Sequence, residues 1–251
     1  MDKKSINIGV IFAGGVGSRM HSKDIPKQFL KVHDKPIIIH TLEHFEKCPE
    51  IDAVVIACVA PWISHLEQLL YKYRIEKVKK IVAGGETGQQ SIYNGLCAAK
   101  EVAEKNRAIV LIHDGVRPLI NAELLAQNII GVRQNGSAIT TGIVKETIAV
   151  IDEKGCITHV PSRADSRVAK APQSFWLSDI LDVHERALKD GVTNSIDSCT
   201  LMAQYGYTLY TVDGPYENIK ITTPDDFYTM RAILDAKENG QIYGYGEGIP
   251  E

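Results

Sequence analysis

The chain has 251 residues, enough to bury one large core with an arm attached. A formal net charge of −3 offers no overall attraction to nucleic acid or to an anionic membrane, so neither is expected as a partner, and any site for a phosphorylated ligand must come from local basic residues. The longest apolar runs, such as 6–12 and 36–39, are too short to span a bilayer, the first four residues lack the apolar stretch of a signal peptide, and the five cysteines are scattered without a Cys-x-x-Cys pair, which together read as a cytoplasmic protein with reduced thiols.

In chain order, 6–12 reads as a buried strand that runs into a glycine loop, Ala13-Gly14-Gly15-Val16-Gly17-Ser18-Arg19-Met20. Residues 36–47 have helical spacing, with Ile39, Leu42 and Phe45 on one face. A second strand follows at 53–59, a helix at 62–73 and a short strand at 79–83, which enters a second glycine turn at Gly84-Gly85. The spacing then predicts a helix over 91–105 and a third core strand over 108–113. Such alternation argues for an α/β fold, a Rossmann-like and mostly parallel sheet flanked by helices, with ligands at the carboxyl ends of the strands.

The rhythm changes after about residue 138. Segments 138–151 and 156–160 flank Asp152-Glu153-Lys154-Gly155, which is turn chemistry for a hairpin. A β-hairpin arm inserted at about 138–162 is the expectation, suited to dimerisation. Helices are expected at 176–189 and 197–205, strands at 207–212 and 218–222, and a closing helix at 224–237 with Pro224 in its first turn. The glycine-rich tail, 239–251, is expected to be mobile, and no linker divides the chain into two domains.

Glycines directly after a strand let the backbone approach a phosphate, and the N–H groups there bind the anion. Two rivals fit the first loop poorly. A Walker A loop needs Lys-Ser/Thr after its last glycine, where this chain has Ser18-Arg19; a dinucleotide fingerprint needs a third glycine where Met20 stands. The nearby cations Arg19 and Lys27, the latter behind Pro26, suit a different chemistry. Two positive charges beside a phosphate-binding backbone can neutralise the charge that builds on a pentacoordinate phosphorus. The plainer reading of Lys23, Lys27 and Lys31 is a solvated basic face. His40 and His44 have helical spacing without a third ligand and read as structural, as do Trp62, Trp176 and the pair Asp225-Asp226 in a first helical turn.

The first loop followed by Pro26-Lys27-Gln28-Phe29-Leu30 resembles the opening of the cytidylyltransferases that act on sugar-alcohol phosphates. Further matching motifs are Gly84-Gly85-Glu86 with Ser91, His113-Asp114-Gly115-Val116-Arg117-Pro118, Arg163, Ala171-Pro172-Gln173-Ser174-Phe175, Asp197 and Asn218-Ile219-Lys220-Ile221-Thr222. Their order and spread, from Gly9 to about Ile233, make the resemblance specific. It covers two subfamilies, for ribitol 5-phosphate and for 2-C-methyl-D-erythritol 4-phosphate. The segment 212–223 and Val116 look closer to the ribitol enzymes.

The resemblance implies a single nucleotidyltransferase domain of the nucleotide-diphospho-sugar transferase type, acting on CTP with Mg²⁺. The acceptor phosphate would attack the α-phosphorus in line and pyrophosphate would leave. Arg19, Lys27 and Lys220 would be the catalytic cations. The backbone of Ala13, Gly14, Gly15 and Gly17 would hold the nucleotide, while Gly85, Glu86 and Ser91 would read cytosine and ribose. Asp114 would orient the ribose or a metal-bound water; its plainer readings are a turn aspartate or an ion pair with Arg117. Arg117, Thr147, Arg163 and Lys220 would bind the acceptor, with Arg167 competing with Arg163. In such enzymes the arm crosses a two-fold dimer, so Thr147 and Arg163 would serve the partner's site. The chain departs from the family pattern at Gly88, where an arginine is usual, at Ile196, where threonine is usual before Asp197, and at Ala171, where threonine is commoner. Two alternatives of other kinds stay open: a nucleotide-binding protein that has kept the fold without the chemistry, and transfer from another nucleoside triphosphate to a sugar phosphate.

Overall fold

The computed structural model describes residues 5–15 and 25–243. Gly17 and Arg19, and the end of the tail from 244 on, lie outside the described residues. A seven-stranded sheet runs through the molecule in the order β11-β7-β10-β6-β1-β4-β5. Its strands are β1 (Ile6–Ala13), β4 (Ala53–Cys58), β5 (Val78–Ala83), β6 (Ala108–Asp114), β7 (Ser137–Ile143), β10 (Arg167–Trp176) and β11 (Thr211–Asp213). All neighbours pair in parallel except β10, which runs antiparallel to both β6 and β7.

Both faces of the sheet are covered, and the strand pleat sorts the side chains between them. On β1, Ile8 and Val10 point to one face and Ile11 and Ala13 to the other; β6 alternates likewise, Val110 and Ile112 against Ile109 and Leu111. The first face packs under α3 (Gly88–Ala103), α5 (Leu177–Lys189) and α6 (Ser198–Gln204). The second packs under α1 (Ile37–Lys47), α2 (Ile63–Tyr73) and α4 (Ala122–Asn135). Ile8, Ile11, Ile56 and Leu96 are fully buried, each contributing about 1.5–3 kcal/mol of apolar transfer. A third, smaller core joins Val116, Leu119 and Ile221 to Met230 of α7 (Pro224–Tyr243), and it fixes the segment that carries Lys220.

Several elements differ from the sequence-based expectation, each for a local reason. Helix α3 begins three residues before 91, because the Thr87 side chain accepts from the Gln90 N–H and caps it. Ser137–Ile143 is a central strand rather than half of an arm hairpin, leaving only β8 (Val150–Ile151) and β9 (Ile157–His159) as the hairpin. Its turn is the expected one: Asp152 Oδ1 accepts from the N–H groups of Lys154 and Cys156, and Gly155 takes a left-handed φ of 80°. Residues 218–222 form no strand; the segment crosses the sheet end with a main-chain bond from the Ile221 N–H to the Val116 carbonyl. A two-strand turn, β2 (Lys31–Val32) and β3 (Lys35–Pro36), leads into α1. His40 and His44 each donate Nε2–H to a carbonyl, of Val32 and Pro118, which makes them structural. Trp62 stacks on Phe29, and Arg107 lies over the ring of Trp176.

Candidate active site

The chain runs from β1 outward through β4 to β5, then returns to place β6 on the other side of β1. Ligands of open α/β sheets sit where strand order reverses in this way. The β1–β6 register pairs Phe12 with Asp114, so the first glycine turn and the Asp114 turn leave the sheet side by side. The Gly115 N–H donates to the Phe12 carbonyl at 3.0 Å and ties the two turns together.

Gly14 and Gly84, distant in sequence, meet over one hydroxyl. A Cβ on Gly14 would stand 2.9 Å from Ser91 Oγ and one on Gly84 3.1 Å from it, so a side chain at either position would press on that hydroxyl. Ser91 Oγ accepts from the Gly85 N–H at 3.0 Å and donates to the Thr87 carbonyl at 2.9 Å. The Glu86 N–H is held by Gln90 Oε1, and the Glu86 side chain is exposed. The structure thus brings Ala13, Gly14, Gly85 and Ser91 to one place. Ala13 is also pinned from its other side, where the buried Gln28 side chain donates to its carbonyl at 2.7 Å.

Asp114 anchors the charged part of the site. Its Oδ1 lies 2.6 Å from Lys220 Nζ and its Oδ2 3.2 Å from Arg117 Nε. Burial by itself would raise this carboxyl; the Lys220 ammonium and then the Arg117 guanidinium outweigh it and hold the pKa at about 2. Arg117 also donates Nη1–H to the Asn218 carbonyl, and Asn218 Nδ2 donates to the Ala171 carbonyl. Two candidates separated widely in the sequence, Asp114 and Lys220, are therefore one ion triad with Arg117. Beneath it His113 is fully buried and donates Nε2–H to the Arg117 carbonyl; burial pushes its pKa down to about 4.

Lys27 opens a short 3-10 turn, Lys27–Phe29, and its charge is felt by Asp226 at the start of α7. Asp226 accepts from the N–H groups of Thr222 and Thr223 and from the Thr223 hydroxyl, so it closes the loop that carries Lys220. Lys27 and Lys220 thereby flank a common element. Thr147, Arg163 and Arg167 are exposed on the arm side and stay away from this group. Arg163 donates to the Lys145 carbonyl and Arg167 to the carbonyls of Ala164 and Ser166.

Asp114, Arg117 and Lys220 line a cleft of about 270 Å³ that runs past α3 to α5 and α6. Its walls hold residues the motifs alone do not assign. Lys170 reaches the cleft where the register of β10 shifts between Ala169 and Gln173, and its ammonium donates to the Tyr216 carbonyl at 3.1 Å. Burial and then the nearby Arg117 charge lower its pKa. The signal was present as a basic residue beside Ala171-Pro172-Gln173. Gln173 in turn donates to Asp197 Oδ2, while the other oxygen of Asp197 caps α6. At Gly88, which also lines the cleft, a Cβ would meet nothing within 4 Å, so packing does not impose glycine there. Arg117 faces the same cleft, but its Nε and Nη1 are engaged.

As for a metal, each oxygen of Asp114 is already engaged by a cation, and no group of three His, Cys, Asp or Glu among the described residues is placed to hold an ion. The described donor set does not fit a resident metal.

The family model described as "IspD: 2-C-methyl-D-erythritol 4-phosphate cytidylyltransferase" matches residues 8–236. The chain belongs to this cytidylyltransferase family. It is a nucleotidyltransferase by membership, with the strand order and helix layers already described. A ribitol-5-phosphate cytidylyltransferase of Streptococcus agalactiae serotype III is 55% identical over 239 residues, covering 95% of this chain and 100% of that protein. A 2-C-methyl-D-erythritol 4-phosphate cytidylyltransferase of Clostridium botulinum (strain 657) is 39% identical over 235 residues, covering 94% and 99%. The crystal structure of 4-diphosphocytidyl-2C-methyl-D-erythritol synthase from Anaerococcus prevotii superposes with a TM-score of 0.80 at 26% identity, over 92% of this chain and 96% of that one. No helix among the described residues is long and apolar enough to cross a membrane.

Proposed function

We propose that this chain transfers CMP from CTP to D-ribitol 5-phosphate, giving CDP-ribitol and pyrophosphate. The observation that carries the reading is the Asp114–Arg117–Lys220 triad, held at the strand-order reversal beside two glycine turns that Ser91 joins. The 55% identity to a relative of that name supports the acceptor.

In the proposed reaction an oxygen of the acceptor phosphate forms a bond to the α-phosphorus of CTP. The bond from that phosphorus to the bridging oxygen breaks, and its electron pair leaves with pyrophosphate. Such transfers ask for positioning and charge neutralisation rather than covalent help from the protein. Lys27 and Arg19 neutralise the transferring group. The backbone N–H groups of Ala13, Gly14, Gly15 and Gly17 receive the triphosphate, and Gly85, Glu86 and Ser91 read the base and ribose. Asp114 keeps Arg117 and Lys220 in place, and Lys220 meets the acceptor phosphate. Mg²⁺ is proposed as a companion of CTP rather than as an ion caged by the described residues.

The arm supports a homodimer. Ile148, Val150, Ile151, Ile157 and Val160 all stand exposed on it, which is a surface for a second copy. Thr147 and Arg163 then serve the partner's cleft, with Arg167 as the competing cation.

Pyrophosphate release with CTP and each candidate acceptor tests the reading. Turnover is expected with ribitol 5-phosphate and not with 2-C-methyl-D-erythritol 4-phosphate; the reverse pattern would overturn the acceptor and favour the second reading, which rests on the family description and the 39% relative. Replacing CTP with UTP or GTP tests the base, and absence of turnover with every pair would leave a binding protein.

A further inference from the structure

The cleft carries a second polar group, on helices rather than strand ends. His184 of α5 is 1% exposed and Ser198 of α6 is 2% exposed, and both line the cleft. Neither ring nitrogen of His184 has a hydrogen-bond partner in the protein, nor has the Ser198 hydroxyl. Buried polar atoms in folded proteins are almost always partnered, so three orphans around one cavity call for something in that cavity. The His184 ring stacks on the Tyr93 ring, with centroids 5.8 Å apart. A leucine would satisfy such packing better than an imidazole.

The chemistry of the missing partner can be narrowed. Burial pushes the His184 pKa down to about 4, so at neutral pH the ring offers one N–H donor and one acceptor nitrogen. Ser198 likewise donates and accepts. A neutral pair of this kind suits hydroxyl groups, which also do both, and is poorly suited to a phosphate dianion. The cations Arg117, Lys170 and Lys220 line the same cleft and suit the phosphate. An occupant with an anionic group and a run of hydroxyls matches both sets of residues.

We propose that His184, together with Ser198, is a specificity site that hydrogen-bonds hydroxyls on the polyol chain of the acceptor. The proposal rests on the reading of this cleft as the site for a polyol phosphate. It assigns selectivity for the chain to α5 and α6, apart from the catalytic cations.

The test measures initial rates of pyrophosphate release for the wild type, His184→Leu and Ser198→Ala. The readouts are KM for ribitol 5-phosphate, KM for CTP, and the inhibition constant of inorganic phosphate, an anion with no polyol chain, against the acceptor. His184→Leu is expected to raise the acceptor KM about tenfold, as for loss of a hydrogen bond in a desolvated site, with the other two constants unchanged within about twofold. Ser198→Ala is expected to give the same split at about threefold, and it carries the test if His184→Leu does not fold. An unchanged acceptor KM in the folded variants, or an equal rise in the CTP KM, would overturn the assignment. If the wild type turns over no polyol phosphate, the functional reading has failed and this site falls with it; that outcome is visible in the wild-type rates alone.

Discussion

The cleft and the arm treat polar and apolar surface in opposite ways. In the cleft, charged groups are drawn inward and held by one another: Asp114 has 6% of its side chain exposed between two cations, and Gly14, Gly84 and Ser91 touch. On the arm, aliphatic side chains face outward, with Ile151 61% and Ile157 64% exposed, and the hairpin is held by its Asp152 turn rather than by a core. The ion triad and the glycine contacts of the cleft are made within one chain, whereas the arm has surface left over. Mutations of the triad or the glycine contacts should therefore act on the chain that carries them, and mutations of the arm's apolar face should act through association.

Lys27→Ala is the sharpest cut on the cleft side. Turnover should fall by on the order of 10²–10³ while CTP affinity, measured by calorimetry, stays within a few-fold, because the lost charge matters most in the transition state. Asp114→Asn should come next. It leaves Arg117 and Lys220 facing each other without a counter-charge, and should cost about 2 kcal/mol of stability, less than for a fully buried pair because the Lys220 side chain is 42% exposed. The effect has a pH signature. Since the folded-state pKa lies near 2, below the ordinary 3.8, the wild-type contribution is fully present above that ordinary value and is lost as pH falls through the folded one. Urea midpoints from pH 7 to pH 2 should converge for the wild type and the variant at the acid end. A gap that persists at pH 2 would argue against the triad as its source.

The arm offers a smaller and different effect. Ile151→Lys with Ile157→Lys should shift sedimentation toward the monomer and lower turnover about tenfold, with an unchanged melting temperature at low protein concentration. A monomer with full activity would cut Thr147 and Arg163 out of the site. Ser91→Ala is the mildest. Freeing the Gly85 N–H should raise the CTP KM about fivefold and leave the acceptor KM in place.

The parts of this architecture that repeat a local rule were legible in the sequence. β4 is a continuous apolar run and β1 and β6 are mostly apolar, the glycines follow strands, and the three-residue spacing of Asp114 and Arg117 permits the ion pair that forms. What escaped depends on partners far along the chain. β10 holds Pro172 and two basic residues, which argue locally against a central strand; it is accommodated because its register shifts around that stretch. Helix α4 had its signals, with Asn121 accepting from the Leu124 N–H and Gly136 closing the end at φ 85°, yet its moderate apolar stripe left it unassigned. The contact of Lys220 with Asp114 has no local signature, since the third core alone sets where that segment crosses. His184 on α5 reads as an ordinary inward-facing position until its unpartnered nitrogens are placed on the cleft wall.

One side chain sets how the first glycine loop is anchored. Gln28 reaches back to the Ala13 carbonyl, so the loop that begins at Gly14 and ends at Lys27 is stapled at its base by a single buried amide. The staple fixes the distance between the last residue of β1 and the lysine that follows Pro26, whatever course the residues between them take. Because Gln28 is the residue after Lys27, the same amide sets where that lysine stands against the end of the strand. Gln28 thus acts as a gauge between Ala13 and Lys27, so its loss would displace the lysine rather than remove its charge.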